Sequence, residues 1–67
     1  MRTQSRTFVE AYSGKQGKTY SVYDVWNYNT FEQHYEVLED GMLIFETEVR
    51  ANIDEFMKLQ LARKIEG

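Results

Sequence analysis

Apolar and polar residues alternate over most of the chain, and only past Asn52 does the period change to that of a helix. Period two with β-branched and aromatic residues reads as strand, and period 3.6 as amphipathic helix. Residues 1–6 are polar and carry neither period, so they are expected as a frayed start. The first strand is expected at residues 7–12, with Phe8 and Tyr12 on one face and Val9 and Ala11 on the other. Residues 13–18 hold Gly14 and Gly17 and read as a turn. Residues 19–28 form a long second strand: Tyr20, Val22, Trp26 and Tyr28 share one face, Tyr23 and Val25 the other. Both faces hold apolar residues, so both are expected to be at least partly covered. After a bend at residues 27–30, residues 31–38 alternate again. Phe31, Gln33, Tyr35 and Val37 point one way; Glu32, His34 and Glu36 point the other.

Asp40-Gly41 fits a two-residue hairpin loop, which pairs Leu38 with Leu43 and mixes polar with apolar faces. A three-residue loop pairs Leu38 with Met42 and sets Tyr35 opposite Phe45. That register sorts the faces, so the hydrophobic pattern favours it. It also gathers Glu32, His34, Glu36, Glu46 and Glu48 on one face. Asn52 followed by Glu55 resembles a capping box, so a helix is expected from Ile53 to about Ile65. Ile53, Met57, Leu61 and Ile65 form its stripe, and Phe56 and Leu59 widen the apolar arc beyond what one sheet needs. The excess points to a second copy of the chain. The expected architecture is α+β: one domain over residues 1–67, with an antiparallel sheet of three to four strands, one C-terminal helix and a homodimeric assembly.

Composition narrows the function. The 67 residues contain no Cys, no Pro and one His. There is no disulfide or thiolate metal site, and a domain this small commonly gains stability by oligomerising. No apolar run is long enough to span a membrane, and Met1 is followed by polar residues rather than a signal-peptide core. The net charge of −3 is unevenly spread. Residues 19–57 carry nine acids against Arg50, a balance of −8, while residues 1–18 and 58–67 sum to +3 and +2. A concentrated negative field attracts cationic partners and repels nucleic acid. Aromatic residues along a strand can stack bases, but here no cationic groove accompanies them. Gly17-Lys18-Thr19 imitates only the tail of a phosphate-binding loop, since Gly14 stands too close. No nucleophile–base pair, glycosidase-like carboxylate pair or calcium-loop pattern is present. Four Glu and one His on a sheet could hold a hard cation, but the expectation is no metal, no cofactor and no catalysis. A stoichiometric binder is the natural class.

Residues 54–61, Asp-Glu-Phe-Met-Lys-Leu-Gln-Leu, resemble the helix of the small dimeric uracil-DNA glycosylase inhibitors of Bacillus phages. Phe45-Glu46 stands at that family's distance from Asp54-Glu55. Residues 8–12, Phe-Val-Glu-Ala-Tyr, are similar to its Phe-Val-acid-small-Tyr, and Gly17-Lys18 with Tyr20 to its following turn. These pieces cover roughly half of the chain, and their order and spacing carry the likeness. Two departures stand out: Val49 replaces a family Tyr, and an extra strand lies between Tyr23 and Gly41. Within it, residues 35–38, Tyr-Glu-Val-Leu, offer a second match to the family's Phe-Glu-Val-Leu. The contacting pair is therefore Phe45/Glu46, which needs no gap to the helix, or Tyr35/Glu36. The resemblance implies a DNA mimic that acts on bacterial uracil-DNA glycosylase in the infected host cytoplasm. Glu32, Glu36, Glu46 and Glu48 would stand in for phosphates beside Tyr35 and Val49. Phe45, Ile53, Phe56, Met57 and Leu61 would wall an apolar pocket at the dimer interface.

Overall fold

The computed structural model describes residues 3–65. Four strands form an antiparallel meander: β1 (Gln4–Ser13), β2 (Thr19–Asn27), β3 (Glu32–Glu39) and β4 (Met42–Thr47). Helix α1 (Arg50–Leu59) crosses one face, and β5 (Arg63–Lys64) returns to pair with β1. The sheet order is β4-β3-β2-β1-β5. The expected α+β class holds, with five strands rather than three to four. Of the expected frayed start, Met1 and Arg2 lie outside the described residues, whereas Gln4, Ser5 and Arg6 belong to β1. Among the described residues no helix is long and apolar enough to cross a membrane.

Two bulges decide which side chains face the helix. In β1 the register shifts between Phe8 and Glu10, so Val9 is the extra residue. A bulge reverses the alternation beyond it. Phe8 therefore pairs with Tyr23 on the open face, and Tyr12 pairs with Tyr20 under the helix. The expected shared face of Phe8 and Tyr12 is corrected by this one residue. The second bulge lies in β4. The loop after β3 is the two-residue Asp40-Gly41, with both residues at positive φ (49° and 90°) as a tight hairpin turn requires. Glu39 faces Met42 and Leu38 faces Leu43, and then the register shifts so that Val37 faces Phe45, Glu36 faces Glu46 and Tyr35 faces Thr47. The expected three-residue loop is thus replaced by a two-residue loop and a bulge at Ile44. The faces are sorted as anticipated, by a different device.

The core lies between sheet and helix: Tyr12, Tyr20, Val22, Val37, Ile53 and Met57 are buried, with Val9, Tyr35, Phe45, Phe56 and Ala62 packed around them. Gly14 makes room for one of these rings, since a Cβ there would stand 2.5 Å from Tyr20 Cε2.

The helix begins three residues before the expected start and ends at Leu59. Asn52 is not its cap. Its Nδ2 donates to Thr47 Oγ1 (3.0 Å), and the same oxygen accepts from the Val49 N–H (3.1 Å), turning the chain into the helix early. At the other end Leu61 takes φ 53°, with its N–H on the Lys58 carbonyl (3.0 Å) and the Ala62 N–H on that of Met57 (2.9 Å). This is a Schellman closure with Leu where Gly is usual. Beyond it the Ile65 N–H donates to the Ala11 carbonyl (2.8 Å), so Ile65 lies beside β1 and not on the helical stripe. A left-handed Leu costs roughly 1–2 kcal/mol. Leu61→Gly is therefore expected to raise stability by about 0.5 kcal/mol after the glycine's entropy is counted, read as a higher thermal midpoint.

A buried carboxylate fastens these parts together. Glu10, on β1 beneath the helix, is 7% exposed. It accepts from the Tyr12 hydroxyl and the Arg50 guanidinium, and Lys64 Nζ stands 3.4 Å away. Burial pushes its carboxyl up, but Tyr12, Arg50 and Lys64 together outweigh this and hold it below the ordinary range. A depressed folded pKa stabilises above the unfolded value, near 4.5, and that stability is lost as pH falls through the folded value. Burial and the bond to Glu10 push the Tyr12 phenol up to about 12. The denaturation midpoint of wild type is expected to fall below pH 4.5, with Glu10→Gln less stable at neutral pH and the gap between them closing in acid.

Candidate functional site

The acidic residues divide into two groups. Glu10, Glu36 and Glu39 take all the salt bridges among the described residues, with Arg50 and Lys64, with Arg6 and His34, and with Lys18 respectively. Glu32, Asp40, Glu46, Glu48, Asp54 and Glu55 are exposed and belong to none of these pairs, nor does the half-buried Asp24. Four of the six exposed acids fall between the end of β4 and the first turns of α1. The chain thus concentrates acids where β4 runs into the helix, with Val49, 54% exposed, at the junction.

Phe45 lies under the helix side of β4, half-buried, and its ring stacks on Phe56 with centroids 4.5 Å apart and planes 10° from parallel. Phe56 also meets Tyr20 edge-on at 6.5 Å. Tyr35 shares this face but stands opposite Thr47, diagonal to Phe45, with the Arg50 guanidinium carbon 5.7 Å from its ring centre. The expectation that Tyr35 and Phe45 face each other directly is corrected by the bulge at Ile44. Ile53 and Met57 are filled into the core, 0% and 2% exposed, so neither forms part of a surface pocket on this chain. Leu61 is exposed and, with Lys58, Ala62 and Arg63, lines a shallow depression past the helix end.

Glu36 and Glu46 occupy the opposite, open face of the sheet as directly paired neighbours. Glu36 is buried there. Arg6 Nη2 is 2.8 Å from its Oε1, and His34 Nε2 is 3.0 Å from its Oε2. Arg6 and His34 are the cross-strand neighbours of Val25, which is fully buried although it lies outside the cluster under the helix. Phe8 packs edge-on against Tyr23 beside them, centroids 5.9 Å apart. Glu32 begins β3 at the far end, opposite Asn27.

Glu46, Glu48 and Val49 thus follow one another along the chain into the helix that carries Asp54 and Glu55, with Glu46 on the open face and the helix on the other. Glu36 adjoins Glu46 across the strands but is buried and ion-paired, and Glu32 stands at the far end of β3. Sequence reasoning used Glu55 for a capping box and Asp54-Glu55 for the resemblance, not as contact residues. Their place in the acidic group depends on the early helix start, and the signal for it was the Thr at position 47, five residues before Asn52. It missed Arg6 altogether, because a frayed start assigns it no neighbour.

Beside the acids, Met42, Leu43 and Ile44 are 73%, 45% and 39% exposed on β4, the sheet's long open edge. An unpaired edge with apolar side chains is a ready surface for another chain.

No protein-family model, no curated protein and no solved structure matches this chain. Glu46 faces Glu36 across the strands, and like charges so placed destabilise by ~0.2–1 kcal/mol. Glu46→Gln is therefore expected to raise the denaturant midpoint slightly, a mark of a charge kept for contact rather than for stability.

Proposed function

We propose that the protein is a non-catalytic inhibitor of bacterial uracil-DNA glycosylase. Its carboxylates stand in for DNA phosphates and occupy the enzyme's cationic DNA-binding cleft. It acts in the cytoplasm of an infected host and shields phage DNA from base excision. The observation that carries this reading is the set Glu46, Glu48, Asp54 and Glu55, exposed and outside the ion pairs, carried along one short stretch from the end of β4 into α1. The resemblance of residues 45–46 and 54–61 to the phage inhibitors supports it independently. Exposure of Glu46 and burial of Glu36 favour Phe45/Glu46 over Tyr35/Glu36 as the contacting pair. A homodimer belongs to the same proposal, supported by the apolar open edge of β4 and by exposed Leu59 and Leu61.

A second reading, a small acidic adaptor that binds an unrelated basic protein, draws on the same carboxylates. Uracil excision by purified bacterial glycosylase separates the two. Inhibition at a stoichiometric amount of the protein is expected. Full activity at stoichiometric excess would leave the adaptor reading. Glu46→Lys should keep the circular dichroism spectrum and weaken inhibition roughly 10-fold or more. Light scattering should report twice the chain mass at micromolar concentration, and a monomer there would remove the dimer from the proposal.

A further inference from the structure

On the open face of the sheet, His34 and Glu36 stand two residues apart on β3, and Glu46 faces Glu36 from β4. Residues i and i+2 of a strand point to the same side about 7 Å apart, and a cross-strand neighbour lies about 5 Å away. Three long side chains so placed can converge above one point. Here one ligand atom from each, an imidazole nitrogen and two carboxylate oxygens, lies within 4.8 Å of the other two.

Glu36 supplies a second and independent observation. Its side chain is only 7% exposed, yet it is directly opposed by another carboxylate. Its buried Oε1 accepts no hydrogen bond among the described residues. Arg6 Nη2 stands 2.8 Å from that oxygen as an ion-pair partner outside hydrogen-bond geometry. One guanidinium and a single imidazole N–H thus face two carboxylates. Burying a carboxylate against a like charge is costly without more positive charge nearby.

We propose that His34, Glu36 and Glu46 bind a divalent transition-metal ion of the zinc class. The donor set decides the class. An imidazole with two carboxylates suits Zn²⁺, which takes three protein ligands and a water, whereas Ca²⁺ and Mg²⁺ want oxygen donors alone. His34 coordinates through Nε2 and carries its proton on Nδ1, giving up the 3.0 Å bond to Glu36 Oε2. Glu36 offers the metal a carboxylate oxygen, with Arg6, 2.8 Å from Oε1, holding the group from behind. Glu46, exposed on the neighbouring strand, closes the third position and leaves a side open to water. The site shares Glu46 with the inhibitor reading, but its test measures only metal and stability, so either can fail without the other.

The test uses the whole chain, treated with chelator and then titrated with ZnCl₂ by calorimetry, with CaCl₂ and MgCl₂ in parallel. One Zn²⁺ per chain is expected, with no saturable Ca²⁺ or Mg²⁺ binding. At Zn²⁺ a hundredfold above Kd, the melting temperature should rise by roughly 10–20 °C. Glu46→Gln and His34→Gln should each weaken binding at least ~10-fold. Glu46 is exposed, so its variant keeps the test valid if His34→Gln does not fold. Glu48→Gln should bind as wild type does. Absence of saturable Zn²⁺ binding, an unchanged Kd in Glu46→Gln, or an equal loss in Glu48→Gln would each overturn the proposal.

Discussion

The Glu10 carboxylate is the point on which this small structure turns. A chain with no disulfide must hold one short helix and a two-residue strand against its sheet by other means. Apolar contact supplies most of the energy through Ile53 and Met57, but apolar contact alone does not fix where the helix starts or where the chain ends. Glu10 does both. Arg50, at the first turn of α1, and Lys64, in β5, reach the same buried carboxylate from opposite ends of the C-terminal segment. The bulge at Val9 is what puts Glu10 beneath the helix. In an unbroken β1 Phe8 and Glu10 would share a face, so Glu10 would turn outward with Phe8 or Phe8 would come in beside it.

The open face repeats the device with other residues. Arg6 and His34 flank Glu36 and are the cross-strand neighbours of Val25, which is buried outside the cluster under the helix. Ionic heads and their aliphatic stems serve as cover where a larger domain would place a second helix. This explains how a sheet with apolar residues on both sides exists in a chain with one helix. It also explains why Glu36, which alternation alone marks as a surface acid, lies inside.

Alternation made the four long strands and the places of their turns legible, though not the length of the loop after Glu39, because period two needs only neighbours along the chain. The helix was legible as an element but not in its bounds. The stripe Ile53, Met57, Leu61, Ile65 continues the helical period past Leu59, and no Gly or Pro marks the end. The closure at Leu61 goes against local preference, and β1 supplies the reason by pairing with Lys64 and Arg63. The bulges at Val9 and Ile44 were illegible for the same reason. Each is set by what lies across the sheet, Tyr12 under the helix in one case and Phe45 against Phe56 in the other. For the candidate site, the acidic clustering was evident in the residues, but its division into paired and unpaired members was not. That division depends on Arg6, Lys18, Arg50 and Lys64 reaching across strands.

The two borders of the sheet are unequal. On one side β5 shields β1 along only the pairs Tyr12–Lys64 and Ser13–Arg63, and Ile65 adds one more bond. On the other, β4 runs open for its full length. A sheet with two open borders can add copies without limit, as fibres do. A twofold pairing through β4 would close that border in both copies at once. The short closing strand guards only the Tyr12–Ser13 end of β1, while the border at β4 is apolar and bare.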